Sequence, residues 1–172
     1  YCEPRFGRIY PEGTVAANIL GFIQRDTGQG HLGVEGKYDT TLMGDNREFM
    51  ALWDPHKADQ VQTPEHGASL VLTIDSLLQH DVEKILDRSI KHNGAVAGTI
   101  VVMNPQNGEI YAMASHPRIN NNFYWEDQYA LTVNNKENIY NFAIKSYEPG
   151  SVFKIFTMAA ALDNETVTPE TE

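Results

Sequence analysis

A serine and a lysine toward the C-terminal end of the sequence have the types and spacing that nucleophilic catalysis requires. They lie in "SYEPGSVFKIFTMAAAL", which runs from Ser146 to Leu162. Of the eleven residues that follow Ser151, nine are apolar, and the exceptions are Thr157 and the charged Lys154. Burying a full charge in so apolar a helix costs free energy, which suggests that Lys154 has a specific role.

Helix geometry brings the two side chains to one face. Pro149-Gly150 predicts a turn and then a helix start, so Ser151 falls in the first turn, where backbone N–H groups are unpaired. Lys154 follows three residues later on the same face. Burial and the positive helix end both favour a neutral amine, which can accept the serine proton and create a nucleophile. The backbone N–H of Ser151 is then available to an oxyanion.

A structural interpretation of the same residues stays open. Ser151 can serve only as a helix N-cap, with Lys154 extending from the first turn into water. Because Ser-x-x-Lys also occurs by chance, the catalytic interpretation depends on the Pro-Gly turn before it and the apolar helix after it.

Other reactive side chains form weaker patterns. The six histidines show no paired zinc spacing, and the single Cys2 cannot build a thiolate site, so neither a metal nor another cofactor is predicted. Ser115-His116 is expected in a loop without an evident acidic partner, which disfavours a serine–histidine–aspartate triad. For the acidic residues Glu12, Glu35 and Asp39, turn and surface roles are favoured over an acid pair.

Composition limits the classes of protein that the chain can represent. With 172 residues, 41% hydrophobic and 21% charged, it is globular and holds one ordinary domain or two small ones. A net charge of -10 without a local basic patch disfavours nucleic-acid binding. The sequence contains no apolar stretch of about 18 residues, so it predicts no membrane span. The first residue is Tyr1 and not Met, so we expect a piece of a longer protein.

The residues from 1 to about 66 are turn-rich, and regular structure is predicted after them. Residues 69–74 predict a strand, and Asp75 is a good N-cap for the helix that follows. "NG" at Asn93-Gly94 predicts the end of that helix. Five residues form its expected apolar stripe: Leu78, Val82, Ile85, Leu86 and Ile90.

A hairpin and a core helix complete the expected elements. Two apolar runs, 98–103 and 109–114, flank "NPQNG", which predicts a type I turn with glycine at a positive φ. Residues 117–145 are polar and predict a long surface excursion. The helix that begins near Ser151 is apolar on all faces, which predicts a buried core helix.

Several segments, taken in order, resemble one protein family. "YEPGSVFK" at 147–154 resembles the active-serine Ser-x-x-Lys box of penicillin-binding proteins. "LVLTIDSLLQ" and "AGTIVVMNPQNGEIYAMASHP" resemble the entry strand, helix and first hairpin of that family's transpeptidase domain. "RIYPEGTVAANILGF" and "GVEGKYDTTLMG" resemble parts of the N-terminal pedestal of the class B, monofunctional members.

The resemblance implies a reaction and roles for two residues. Ser151 matches the nucleophile that is acylated, with its backbone N–H in the oxyanion hole, and Lys154 matches the general base. The implied reaction is D,D-transpeptidation of peptidoglycan, with stem peptides as substrates and β-lactam antibiotics as mimics. Tyr147-Glu148 before the Pro-Gly pair favours the septal, cell-division type.

The resemblance also implies an architecture and a location. The fold class is α+β: residues 1–66 as part of the pedestal, a dimerisation-like domain, and 67–172 as the first part of a transpeptidase domain with helices on an antiparallel sheet. The implied location is the outer, periplasmic side of the bacterial cell membrane, with a single N-terminal anchor in the longer protein. The pedestal is expected to contact a membrane glycosyltransferase and other cell-wall synthesis proteins.

Some features of the family are missing from these residues. A Ser-x-Asn box and a Lys-Thr/Ser-Gly strand are absent after Ser151, so we expect an incomplete enzyme. "NFAI" at 141–144 replaces a common Asn-Arg-Ala pattern, which puts an arginine role there in doubt. Two alternatives therefore remain: a non-catalytic docking module that recruits cell-wall synthesis partners, and a β-lactamase or β-lactam sensor.

Overall fold

The computed structural model describes residues 8–44, 67–126 and 141–171, which form an α+β fold. Its helices are α1 (Ala17–Leu20), α2 (Gly33–Lys37), α3 (Asp39–Met43), α4 (Ser76–Asn93) and α5 (Lys154–Asp163). Its strands are β1 (Phe22–Ile23), β2 (Gly30–His31), β3 (Gly98–Met103) and β4 (Ile110–His116). Three 3-10 turns cover Asn121–Phe123, Phe142–Ile144 and Gly150–Phe153. The predicted fold class is confirmed.

Helix α4 begins and ends where the sequence predicts. The Leu78 N–H donates to Asp75 Oδ1 at 2.9 Å, which satisfies one of the unpaired donors of the first turn. At the other end Gly94 adopts the left-handed conformation, with φ +61°, and its N–H donates to the Ile90 carbonyl. Both boundaries are therefore set by local capping.

The apolar stripe of α4 is confirmed except at Ile85. Val82 and Leu86 are buried against Ala112 and Ala114 of β4, both fully buried. Leu78 and Ile90 pack at the margins of this cluster. Ile85 is 51% exposed, because the buried face of α4 is turned toward two polar residues, Gln79 and Glu83.

The predicted hairpin is confirmed. Strands β3 and β4 pair antiparallel, with Gly98 opposite His116 and Val102 opposite Ala112. In the turn the Gly108 N–H donates to the Asn104 carbonyl at 2.8 Å, and Gly108 has φ +79°. The positive φ explains why glycine occupies this position.

The predicted strand at 69–74 is wrong, because side chains close most of the outer edge of β4. Among the described residues before α4 only one backbone bond reaches that edge, from the Asp75 N–H to the Tyr111 carbonyl at 2.9 Å. The Thr73 hydroxyl donates to the Ile110 carbonyl at 2.7 Å. Gln79 then binds both backbone groups of Met113. The edge is protected without a third strand.

The predicted surface excursion at 117–145 is wrong over its described first part. Ile119 and Tyr124 are buried in one apolar cluster with Tyr10 and Phe22. The rings of Phe22 and Tyr124 stack with centroids 4.1 Å apart. Residues 127–140 lie outside the described ranges. The cluster joins segments on both sides of the predicted boundary at residue 66, and that division stays a prediction.

A buried carboxylate reinforces the same junction. Glu83 is 3% exposed, and its Oε1 accepts from the Ala16 N–H at 2.9 Å and from Gln79 Nε2 at 2.6 Å. Its Oε2 lies 3.4 Å from Arg118 Nε. Arg118 thus follows β4 but contacts α4, while Ala16 precedes α1. One carboxylate connects three segments of the chain.

Asp87 extends this network toward solvent. It binds Arg118 Nη2 through one oxygen and His116 Nδ1, at 2.9 Å, through the other. Partial burial raises the pKa of Asp87, but the hydrogen bonds from Arg118 and His116 outweigh it and lower the pKa below the ordinary value of 3.8.

We expect Glu83→Gln to destabilise the fold by about 1–3 kcal/mol, because it removes a charge that faces the buried Arg118 guanidinium. The glutamine keeps an acceptor for the Ala16 N–H, so charge and not shape changes. Asp87→Asn is the matched control, since the Asp87 side chain is 42% exposed. Thermal unfolding followed by circular dichroism measures both. An effect of Glu83→Gln no larger than that of Asp87→Asn would contradict the role of Glu83.

The lowered pKa of Asp87 predicts a loss of stability in acid. The unfolded chain binds this proton more readily than the folded chain, so the contribution is present above pH 3.8 and is lost as the pH falls below it. Between about pH 5 and about pH 3, the unfolding temperature of the wild type should therefore fall more than that of Asp87→Asn. Equal decreases would show that Asp87 contributes nothing to the acid sensitivity.

Candidate active site

Ser151 and Lys154 lie at the junction of a 3-10 turn and a helix. Ser151 is in the turn Gly150–Phe153, and Lys154 is the first residue of α5. The Lys154 N–H donates to the carbonyls of Ser151 and Val152. The predicted succession of a turn and a helix start is thus present, and both residues belong to it.

Gly150 sets the direction in which the chain enters this turn. Its φ is +58°, a left-handed conformation that glycine adopts readily and other residues resist. A Cβ atom built on Gly150 would meet nothing within 4 Å. The requirement for glycine is therefore conformational and does not come from crowding. The ring of Pro149, the residue before Gly150, fixes its own φ at -73°.

The two candidate residues lie in adjacent elements, but no hydrogen bond joins their side chains. Within the described ranges, neither the Ser151 hydroxyl nor the Lys154 amine has a hydrogen-bond partner, and both residues are exposed. Their spacing of three residues keeps them on one side of the helix. The geometry brings them near each other and leaves both side chains available. Their catalytic roles stay a prediction at this point.

The prediction that the Ser151 helix is buried is wrong for this structure. Ile155, Phe156 and Met158 are 70%, 65% and 56% exposed. Apart from the 3-10 turn before it, no element in the described ranges packs extensively on α5. A helix that is apolar on all faces needs neighbours on every side to be buried. The expected water-poor surroundings of Lys154 are absent for the same reason.

The segment before the turn is attached to β4 through Asn141, which sequence reasoning did not assign to the site. Asn141 Oδ1 accepts from the Ser115 hydroxyl and from the Ala143 N–H, each at 3.0 Å. Its Nδ2 donates to Met113 Sδ at 3.0 Å. The sequence signal is the asparagine that begins "NFAI", the segment that replaces the common Asn-Arg-Ala pattern.

The other candidate groups have structural roles. Ser115-His116 lies in β4 and not in a loop, and His116 has an acidic partner in Asp87, so both expectations for this pair were wrong. A triad is still not formed, because the Ser115 hydroxyl binds Asn141. The Asp39 carboxylate accepts from the Gly30 N–H at 2.7 Å.

Glu35 also has a structural role, but the turn or surface position expected for it is wrong. It is buried and paired with Arg8 Nε at 2.9 Å. Burial, and then the charge of Glu35, raise the pKa of the nearby Tyr10 phenol far above its ordinary value of 10.0. Tyr10 therefore stays protonated and accepts from the Ile23 N–H at 3.1 Å.

Comparison with known proteins gives a domain match and several named relatives. The model of the penicillin-binding protein transpeptidase domain matches residues 98–172, which include β3, β4, Ser151 and Lys154. Stage V sporulation protein D of Bacillus subtilis is 36% identical over 169 residues, covering 93% of this chain and 25% of that protein. Peptidoglycan D,D-transpeptidase FtsI of Escherichia coli is 33% identical over 165 residues, a match that includes 93% of this chain and 27% of FtsI.

A solved structure shows the same fold. Penicillin-binding protein 2X from Streptococcus thermophilus superposes with a TM-score of 0.72 at 23% identity, over 96% of this chain and 26% of the other. The fold and the matching domain define the first part of a penicillin-binding protein transpeptidase fold. Residues 98–172 match the transpeptidase domain of penicillin-binding proteins, so the predicted resemblance is confirmed. The chain spans about a quarter of the length of the curated relatives it matches.

We expect Gly150→Ala to slow labelling of the protein by a fluorescent penicillin by about fivefold or more, because the left-handed φ costs alanine about 1–2 kcal/mol and a relaxed backbone would displace the Ser151 turn. Gly94→Ala is the matched control: it has a similar φ, +61°, and similarly open space, but it ends α4. That variant should lose comparable stability and keep its labelling rate. Equal labelling rates for Gly150→Ala and Gly94→Ala would show that the left-handed φ of Gly150 does not influence the reactivity of the site.

Proposed function

We propose that this chain is part of a peptidoglycan D,D-transpeptidase that is acylated at Ser151. The observation that carries the proposal is the placement of Ser151 and Lys154 at the junction of a 3-10 turn and α5, after a left-handed glycine, in the region that matches the transpeptidase domain. Relatives named as peptidoglycan D,D-transpeptidases support it, and FtsI is one of them. Tyr147-Glu148 before the Pro-Gly pair favours a role in septal cell-wall synthesis.

The proposed reaction transfers the acyl group of a stem peptide first to Ser151 and then to an acceptor amine. Ser151 Oγ attacks the carbonyl carbon between the two terminal D-alanines of a stem peptide, and the Lys154 amine takes its proton. The backbone N–H of Ser151 donates to the oxyanion. The intermediate then loses the terminal D-alanine, whose nitrogen receives the proton. An amine of a second stem peptide attacks the ester and regenerates the serine.

The same steps explain a stable product with β-lactams. Attack of Ser151 Oγ on the lactam carbonyl opens the ring and forms an ester. The former lactam nitrogen remains covalently attached to the acyl group, so no leaving group departs to admit an acceptor amine. A slowly hydrolysed ester is therefore expected at Ser151.

The proposed mechanism requires that another part of the protein cover α5. Ile155, Phe156 and Met158 of α5 are exposed together with Val152 and Phe153 of the preceding 3-10 turn, and this apolar surface favours burial. The curated relatives are about four times as long as the matched region, so additional chain is a suitable cover. Such a cover would also remove water from Lys154 and favour the neutral amine.

The proposed location is the outer, periplasmic side of the bacterial cell membrane. None of the helices in ranges 8–44, 67–126 and 141–171 is long and apolar enough to cross a membrane. A single N-terminal anchor in the longer protein is part of the proposal. The relatives named as cell-wall enzymes support this location. The N-terminal segment is the proposed contact with a membrane glycosyltransferase and other synthesis proteins.

A non-catalytic docking role is the second candidate. The exposure of α5 and of Lys154 favours it, because an uncovered lysine is poorly suited to act as a base. In that case the apolar face of α5 would bind a partner and Ser151 would remain unmodified. Acylation of Ser151 distinguishes the two candidates.

We expect Ser151→Ala to abolish labelling of the full-length protein by a fluorescent penicillin, since no other residue should form the ester. Ser146→Ala is the matched control, because Ser146 lies in the same exposed segment five residues earlier. It should label at the wild-type rate. Undiminished labelling of Ser151→Ala would refute the nucleophile assignment, and rapid turnover of nitrocefin by the wild type would indicate a β-lactamase instead.

A further inference from the structure

We infer that Asn141 is a positioning residue that sets where Ser151 lies relative to the β3–β4 hairpin. The inference rests on the proposed function, because positioning matters only if Ser151 reacts. Asn141 is ten residues before Ser151 and does not belong to the Ser-x-x-Lys box. Its side chain links the approach to that box with strand β4.

Three hydrogen bonds make this link. Asn141 Oδ1 accepts from the Ser115 hydroxyl of β4 and from the Ala143 N–H of the following 3-10 turn. Asn141 Nδ2 donates to Met113 Sδ, also on β4. One side chain therefore fixes both the start of a turn and its attachment to the sheet.

The atoms that Asn141 binds are themselves held firmly. Ser115 is 1% exposed, and its neighbour Ala114 is fully buried under α4. The Met113 N–H donates to Gln79 Oε1 at 2.8 Å, and the Met113 carbonyl accepts from Gln79 Nε2 at 3.1 Å. Gln79 has no exposed surface. Asn141 thus connects the segment to a rigid part of the fold.

The chain between Asn141 and Ser151 leaves limited freedom. The turn Phe142–Ile144 packs on β3 and β4, and the Lys145 N–H donates to the Phe142 carbonyl at 3.3 Å. Residues 145–147 then border a cavity of about 400 Å³ beside Gly98 and Thr99 of β3. Pro149 and Gly150 fix the entry to the Ser151 turn.

The Ser151 turn and α5 have no extensive contact with the sheet in the part of the chain that the structure describes. The position of Ser151 relative to the sheet is therefore set largely by the segment that precedes it. Serine attack requires close alignment of the reacting atoms, and small misplacements slow such reactions strongly. Loss of the Asn141 side chain should reduce the acylation rate even though Asn141 touches no substrate.

Loss of this side chain should not prevent folding. Asn141 is only partly buried, so water can reach the Ala143 N–H after truncation. The Ser115 hydroxyl has a second polar neighbour, Thr99 Oγ1, at 3.4 Å. No large apolar contact is removed. The expected effect is on geometry rather than on the folded fraction.

The test compares acylation of full-length variants by a fluorescent penicillin, with rates expressed per titratable serine. For Asn141→Ala we expect a decrease of about tenfold in the acylation step, with unchanged non-covalent affinity. Asn141→Asp keeps an acceptor for the Ser115 hydroxyl and the Ala143 N–H, and should recover most of the rate. Asn107→Ala is the matched control, because Asn107 Oδ1 similarly accepts from the Glu109 N–H, in the hairpin turn. It should label like the wild type.

Ser115→Ala is the second variant, since it removes one donor to Asn141 and creates no large cavity. We expect about a threefold decrease, and no further decrease when it is added to Asn141→Ala, because the two residues act as one unit. If Asn141→Ala gives no folded protein, the Ser115→Ala rate decides the question.

Each outcome has a defined meaning. A wild-type rate per titratable serine in Asn141→Ala, with or without a lower unfolding temperature, overturns the inference, because Asn141 is then merely structural. If Asn141→Ala does not fold, a wild-type acylation rate in Ser115→Ala likewise overturns the inference. Failure of the wild type itself to be labelled contradicts the proposed function and removes the basis of the inference.

Discussion

The proposed acylation of Ser151 depends on one physical requirement, the exclusion of water from Lys154. An amine accepts a proton from a serine only while it is uncharged, and burial is what favours that form. Lys154 begins a helix whose apolar side chains face solvent on all sides. A cover that buries those side chains would also dehydrate the amine. Burial of α5 and activation of Ser151 are therefore one physical requirement.

The described fold provides a base for such a site before any cover is added. Helix α4 packs on β4 through small alanines, and Gln79 satisfies the backbone groups of Met113 at the outer edge of that strand. Glu83 binds the N-terminal segment through Ala16, one turn further along α4. The same helix thus supports the strand that holds Asn141 and ties it to the N-terminal segment.

The sequence predicted features that depend on neighbouring residues and missed those that depend on distant ones. Asp75, Gly94 and Gly108 act on backbone groups within a few residues, so capping and turn rules located them. Ser115 and Asn141 are separated by 26 residues, and no local pattern reveals their bond. Helix α5 is a different case. Its apolar composition predicts burial, but the residues of the helix do not identify which segment would bury it.

The most direct test of the central claim locates the penicillin adduct on the full-length protein. Trypsin cleavage after Lys145 and Lys154 gives the peptide "SYEPGSVFK", which contains both Ser146 and Ser151. Because the two serines share one peptide, fragment-ion mass spectrometry must assign the added mass to one of them. The account predicts an adduct on Ser151 alone. An adduct on Ser146 or outside this peptide, with Ser151 unmodified, would contradict it.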